Sequence, residues 1–326
     1  MKNQYTIVSL FDGISCGREA IRQCKIADKN IKYYASEIDP VAIRVAQKRY
    51  PNITQIGDVC NISYKNGVIR TKSANYNVGK VHLLLAGSPC QGFSSNGNRK
   101  LLQDERSVLF FQFARLLKEI QPTYFLLENV RMPGDVENVI TKRLCKYNTS
   151  LYRLNSRNWC AQNRDRLYWT NIPNDARFLT TAPHRSKQYA FIVPDIIKDG
   201  YDGIYHRPHG YYKGGFKEKQ EKAPCITRCA WLSSFFVHQH GKRRKFTADE
   251  CEELQTLPHH YTYDAGSDSA RVSLIGNAWT VAVIRDLLYG AFHEPKKCSA
   301  KNVKMVTDTT KPTRKNKQRR KTKKTK

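Results

Sequence analysis

Residues 5–11 read YTIVSLF, a run of β-branched and aromatic side chains that stops at Asp12-Gly13 and predicts a strand. Helical spacing follows from Cys16 to about Cys24. A second strand is expected over Lys32–Ile38, ending in Glu37-Ile38-Asp39-Pro40, and a helix from Val41 to about Arg49. Val81–Ala86 (VHLLLA) is short and mostly apolar, as in a strand covered on both faces. Helical periodicity over Val108–Ile120 and a buried strand over Thr123–Leu127 come next. This alternation predicts an α/β fold: a doubly wound, Rossmann-like, mainly parallel sheet with helices on both faces. The alternation fails after about Asn171. Residues 171–245 hold 6 of the 18 glycines, 5 of the 13 prolines and 11 aromatics, which reads as a smaller β-rich region. Helical patterning returns at Thr247–Leu257 and Thr280–Leu288.

Charge narrows the class of partner. The chain has 56 Lys plus Arg against 28 Asp plus Glu, a net +28, which calls for a polyanion. The excess is +13 over residues 1–170, +8 over 171–245, −6 over 246–294 and +13 over 295–326. The last segment contains KNKQRRKTKKTK and too few apolar residues to offset the entropy of folding. It reads as a disordered tail: a solubilising terminus, a nucleic-acid arm or a nuclear-import signal. No apolar run approaches the ~18 residues of a membrane helix, so no membrane association is expected. The first ten residues do not resemble a secretory signal. Ten scattered cysteines without a CxxC pair read as reduced thiols. Cys225, Cys229, His238 and His240 fit no common zinc spacing, so no metal is expected.

Candidate chemistry clusters where strands end. Ser9–Gly17 joins a strand to a helix, and its small residues let a ligand approach backbone N–H groups. Glu37 follows Gly13 by 24 residues and can accept from both hydroxyls of a ribose. Asp58, in IGDV, can accept from an adenine amino group, or can simply cap a helix. Cys90, in GSPCQGFS, lies just past the end of an apolar strand on a turn pre-set by Pro89, as a nucleophile would. Glu128 follows the next strand, where desolvation would raise its pKa and let it hold a proton for a ring nitrogen. Arg164 and Arg166, two apart, share a face in an extended strand and can bind a carbonyl oxygen or stabilise a thiolate. Each has a plainer reading: a small buried thiol, a helix cap, a surface salt-bridge strip.

Together these segments resemble the DNA (cytosine-5)-methyltransferase family. SLFDGISCG, SEID, IGDV, GSPCQGFS, RSVLFFQF, LLENV, QNRDR, FTADECEELQTLP and LIGNAWTV occur in the family's order over residues 9–281. The PCQGFS loop is like the bacterial, phage and algal-virus enzymes. SLFDGI, YWTNIP and the Trp in GNAWTV resemble the DNMT3-like branch. The resemblance implies Cys90 as the catalytic thiolate, Glu128 as the ENV glutamate, and Arg164 and Arg166 as contacts to the target base and its surroundings. It implies a site for S-adenosylmethionine at Phe11, Asp12, Gly13, Ile14, Cys16, Gly17, Glu37, Ile38, Asp58, Val59, Pro89, Asn277, Ala278 and Trp279. Gln91, Ser94, Arg228, Lys242 and Arg243 are candidate DNA contacts. The implied organisation is a catalytic domain (1–170), a target-recognition domain (171–270), a return segment completing the catalytic domain (271–294) and the tail (295–326).

The activity so implied is transfer of a methyl group from S-adenosylmethionine to C5 of a flipped-out cytosine in a specific duplex sequence, through a covalent Cys90–C6 bond. A tRNA methyltransferase of the same fold is the nearest alternative, although that branch's CFT tripeptide is absent. A catalytically inactive DNA-binding homologue is the other. The expected partners are double-stranded DNA and a cognate restriction endonuclease. The chain is expected to act as a monomer in the cytoplasm of a bacterial or phage-infected cell, or in the nucleus of a eukaryotic host.

Overall fold

A period of two along the strands, with both sets of positions apolar, produces a sheet with two buried faces. The computed structural model describes residues 4–88, 107–173, 189–207, 213–228 and 235–293. Within it β1 (Tyr5–Leu10), β2 (Ile31–Ser36), β3 (Thr54–Gln55), β7 (Leu83–Gly87), β8 (Tyr124–Val130), β9 (Ser150–Asn155) and β10 (Asp165–Thr170) form a seven-stranded sheet. Its order is β3-β2-β1-β7-β8-β10-β9. The first five strands are parallel, and β10 and β9 add antiparallel at one edge. Ile7, Leu83, Leu85 and Leu126 enter one apolar cluster, while Val8, Leu10, Leu84, Ala86, Phe125 and Leu127 enter the other. Alternate residues thus face opposite sides.

Local signals start and stop the helices. In α1 (Cys16–Gln23) the preceding Ser15 is left-handed, with φ 60°. Asp39 caps α2 (Pro40–Arg49), accepting from Val41 N–H at 2.9 Å, and Pro40 takes the first turn, where its missing N–H costs nothing. α3 (Ser107–Ile120) and α4 (Gly134–Leu144) flank β8 in the chain. α5 (Val193–Ile197) is short. α6 (Ala248–Leu254) opens with a capping box between Thr247 and Glu250. α7 (Asp268–Asn277) and α8 (Val281–Phe292) follow, and seven residues of α8 are buried.

Two smaller antiparallel sheets complete the described structure. β4 (Ser63–Lys65), β5 (Val68–Arg70) and β6 (Asn75–Asn77) form a meander that the hydrophobic pattern does not announce, because each strand has three residues and at most one buried. β11 (Tyr201–His206), β12 (Gly215–Glu218), β13 (Phe235–Gln239) and β14 (Lys242–Arg244) form a four-stranded sheet in the order β12-β11-β13-β14. Ile204, Phe235 and Val237 on its inner face join the same apolar cluster as Ile7 and Leu85. Among the described residues no helix is long and apolar enough to cross a membrane.

The structure corrects three element boundaries. β8 does not stop at Leu127 but runs through Glu128 and Asn129 to Val130, because β10 pairs with it there: Tyr168 lies opposite Glu128. Glu128 is therefore a strand residue, not the first residue of a loop. β10 begins at Asp165, so Arg164 precedes the strand that was expected to carry both arginines. The apolar run at 81–86 pairs only from Leu83 and extends to Gly87.

Candidate active site

The parallel strands end on one side of the sheet, and a cleft of about 630 Å³ opens there. That is the carboxyl end, where open α/β sheets bind ligands. Phe11, Asp12, Gly13, Ile14 and Cys16 line it from the turn after β1, and Glu37, Ile38 and Asp39 from the end of β2. Gly87 and Ser88 come from β7, and Glu128, Asn129 and Val130 from β8. Arg164, Arg166 and Arg228 close one wall, and Asn277, Ala278 and Trp279 another. Most of the expected cofactor and catalytic positions thus share one cavity.

Glu37 ties the first turn to the second strand. Its Oε2 accepts from Gly13 N–H at 2.7 Å, and Oε1 accepts from Ile38 and Asp39 N–H at 2.7 and 2.9 Å. Phe11 and Gly13 both adopt positive φ, near 56° and 57°, so the turn folds back sharply. At Gly13 that conformation carries no steric penalty. Beside Glu37, Ile38 is 72% exposed, a bare apolar surface at the cleft rim.

Asp12 accepts from the Tyr33 hydroxyl at 2.7 Å and pairs closely with the Ser15 hydroxyl. Burial pushes its carboxyl up to about 6, against the pull of these hydrogen bonds. An acid raised in the folded state contributes stability below its unfolded pKa near 4 and loses it as pH rises through 6. Between pH 4 and 7 the wild type should lose about 2 kcal/mol relative to Asp12→Asn, allowing for solvent on the cleft side. Thermal melts of both proteins across that range would measure it. A stability difference that does not vary with pH would contradict the assignment. Cys16 lines the same wall, and burial pushes its thiol up to about 12, so it stays protonated.

Glu128 is held from two sides. Arg166 Nε lies 3.1 Å from Oε1, and Trp279 Nε1–H donates to Oε2 at 3.1 Å. The burial expected at Glu128 is present, at 8% exposure, but it comes with a cation that offsets the cost of burying the charge. Trp279 lies against Gly87: a Cβ there would sit 2.7 Å from the indole nitrogen, so only glycine fits. Gly87 is also the β7 partner of Glu128. The chain leaves β7 at this point toward Cys90, three residues on. Asn129 Nδ2 donates to Ser88 Oγ at 3.1 Å, binding the foot of that segment to β8. Ser88 and Asn129 are site residues that sequence reasoning missed; the Asn of ENV was the available signal. Pro89, Cys90, Gln91 and Ser94 lie outside the described residues.

Arg164 lines the cleft and is also fastened to the backbone around it. It is 5% exposed, and its guanidinium donates to the carbonyls of Ile226 (2.8 Å), Gly276 (3.1 Å) and Ala278 (2.8 Å). It joins three chain segments. Gly276 permits the arrangement, since a Cβ there would lie 2.2 Å from the Thr227 carbonyl. Gln162 and Gln255 extend this bracket. Gln162 donates to the Leu254 carbonyl and accepts from Ile226 N–H, and Gln255 donates to the carbonyls of Ile275 and Ala278. Both glutamines are fully buried.

Some expected positions fall outside the cleft lining. Gly17 is packed beneath it, where a Cβ would come within 2.6 Å of Leu85. Asp58 caps a single turn, accepting from Cys60 N–H, and Val59 is buried in the second apolar cluster. Of the expected DNA contacts, Arg228 lines the cleft, whereas Lys242 and Arg243 sit on β14. The Arg243 guanidinium lies over the rings of Tyr205 and Phe236. Cys225 Sγ faces Arg164 and Arg166, two cations, which does not suit a metal ligand. Among the described residues no group of three His, Cys, Asp or Glu is placed to hold a metal.

Known proteins resemble this chain in sequence and in fold. An orphan methyltransferase of Bacillus phage SPR, M.SPRI, is 33% identical over 177 residues, 52% of this chain. The match spans 38% of that enzyme's length. The type II methyltransferase M1.ScrFI of Lactococcus lactis subsp. cremoris is 26% identical over 313 residues, covering 86% of this chain and 76% of the relative. The Dnmt2 methyltransferase of S. pombe superposes with a TM-score of 0.62 at 18% identity, over 88% of this chain and 98% of that one, which establishes the shared fold. The model of the C-5 cytosine-specific DNA methylases matches residues 5–222 and 170–293, nearly the whole chain before the basic tail. The chain belongs to the C-5 cytosine-specific DNA methylase family.

Proposed function

We propose that the protein transfers a methyl group from S-adenosylmethionine to C5 of cytosine in duplex DNA, using Cys90 as nucleophile and Glu128 as the group that engages N3. The observation that carries this reading is the position of Glu128. It is buried at the cleft, braced by Arg166 and Trp279, and paired through Gly87 with the strand that leads to Cys90.

The cleft suits the cofactor. Its volume of about 630 Å³ lies within the usual range of about 300–1,000 Å³ for small-molecule sites. Among the described residues Glu37 Oε2 accepts only Gly13 N–H, which leaves a lone pair for a ribose hydroxyl. The bare side chain of Ile38 offers an apolar surface for a purine. When bound, S-adenosylmethionine supplies an electrophilic methyl group on a sulfonium. Phe11, Ile38 and Trp279 would hold the apolar parts, with Glu37 on the sugar. Asp12 would place a carboxylate near the positive charge.

Cytosine C5 is a poor nucleophile. The Cys90 thiolate forms a bond to C6 while Glu128 holds a proton at N3, and the displaced electron pair makes C5 nucleophilic. Methyl transfer would leave the cofactor as S-adenosylhomocysteine; the C5 proton then leaves to a base, the N3 proton returns to Glu128, the C6–S bond breaks and the thiolate returns to Cys90. Arg166 keeps the Glu128 carboxylate aimed. The ring cannot be reached inside a duplex, so the target cytosine is flipped out, which costs a few kcal/mol. Residues 171–270 are the proposed target-recognition region, 1–170 and 271–294 form the catalytic domain, and 295–326 are the tail.

Incubation with cofactor labelled in the methyl group, and with duplex DNA and tRNA as competing acceptors, tests the proposal. Label is expected in DNA cytosine. Label confined to tRNA, or no transfer to either, would overturn it. Bisulfite sequencing of DNA from cells expressing the chain then reads the methylated site.

A further inference from the structure

Away from the cleft, α3 and the end of α4 form a second concavity. Phe111, Arg115 and Lys118 stand four and three residues apart on α3 and share one face of that helix. Lys142 and Arg143 come from the last turn of α4, and Lys146 from the turn after it. These side chains line a groove of about 490 Å³ that shares no residue with the cleft. Arg115 is engaged by Glu119 at 2.8 Å and by the Ile62 carbonyl at 2.8 Å. Lys118, Lys142, Arg143 and Lys146 form no ion pair among the described residues. Arg143 lies over the ring of Phe111, and Lys146 Nζ is 5.1 Å from the centre of the Tyr147 ring.

Lys142 and Arg143 complement the dipole at the end of α4. Lys118 likewise lies in the last turn of α3 and Lys146 beside the Tyr147 ring, but among the described residues neither meets a carboxylate. Four cations converging without a carboxylate repel one another, and an anion in the groove relieves the repulsion. The groove is far from the chemistry. α4 begins shortly after β8 leaves the cleft, and its eleven residues at ~1.5 Å each carry the last turn about 16 Å further on.

We infer that this groove binds the phosphate backbone of a DNA segment separate from the one in the cleft. Duplex DNA presents one charge per ~1.7 Å of axis, so a distal stretch supplies anions without any sequence requirement. Such a contact adds avidity on long DNA and none on a fragment that only fills the cleft. The inference rests on the duplex-DNA substrate proposed above.

The test compares Lys118→Gln/Lys142→Gln/Lys146→Gln with a control that removes the same charge elsewhere, Lys29→Gln/Lys32→Gln/Lys48→Gln. All six lysines are exposed, so both variants should fold. Binding is measured against salt on duplexes of about 14 and about 60 base pairs. On the longer duplex the groove variant should bind at least ~10-fold more weakly at low salt, and its log–log salt slope should fall by about 3, near 0.9 per lost phosphate contact. The shorter duplex should show neither change, nor should the control on either length. Equal loss in both variants, or equal loss on both lengths, overturns the groove as a DNA anchor. So does weakened tRNA binding with the longer duplex unaffected. Methyl transfer to the shorter duplex reports separately on the substrate reading, because the groove variant should retain it.

Discussion

Replacing Cys90 by serine should lower methyl transfer by about three orders of magnitude or more while leaving duplex binding within a few-fold of wild type. A serine hydroxyl is scarcely ionised near neutral pH and cannot form the bond to C6 at a useful rate. The described part of the cleft does not depend on the thiol. Glu128 stays between Arg166 and Trp279, and Ser88 stays tied to Asn129. Loss of turnover with retained binding is therefore the expected pattern. A companion measurement uses duplex containing 5-fluorocytosine, whose C5 substituent blocks release of the enzyme. Wild type should form an adduct that survives denaturation, and Cys90→Ser should not. Turnover by the serine variant, or an adduct formed without Cys90, would place the nucleophile elsewhere. Cys16 is a poor substitute, since burial keeps its thiol protonated.

Arg164→Ala should lower stability by about 4 kcal/mol, because three carbonyls in buried segments lose charge-assisted hydrogen bonds at once. For a chain of this size that is a fall in Tm of about 6 °C. Activity should drop with it, since Ile226 and Ala278 adjoin residues that line the cleft. Arg166→Ala is the contrast. Its guanidinium is the cation beside buried Glu128, so the variant should lose kcat even at temperatures where it remains folded. Thermal melts beside kinetics separate the two. An Arg164 variant that keeps its Tm but loses substrate affinity would show that this side chain serves the base and not the fold.

Much of the fold is legible because it depends on near neighbours. The apolar alternation in Tyr5–Leu10, Leu83–Gly87 and Tyr124–Val130 requires burial on both faces, and a sheet covered by helices on each side meets that requirement. The caps at Asp39 and Thr247 are equally local. The meander over residues 63–77 is not legible, since three-residue strands leave no periodicity to detect. Neither is the extension of β8 through Glu128, which exists because β10 pairs with it from some 40 residues downstream.

Within the site, the residue types were readable and their duties only in part. Glu128, Glu37 and Trp279 line the cleft as their motifs suggest. Arg164, Gln162 and Gln255 occur in motifs that read as chemistry, yet they are fastened to backbone carbonyls and to one another. By itself the sequence determined the parallel sheet, the strand ends at which reactive groups gather, and the family. The sheet and its strand ends follow from short-range periodicity, and the family from the order of its motifs along the chain. Only the tertiary structure decided that Arg164 is a bracket, that Trp279 and Arg166 brace Glu128, and that a basic groove lies behind the sheet. The partners that decide those roles stand 38 to 151 residues away in the chain. A hydrogen bond depends on distance in space, which no local pattern of residues encodes.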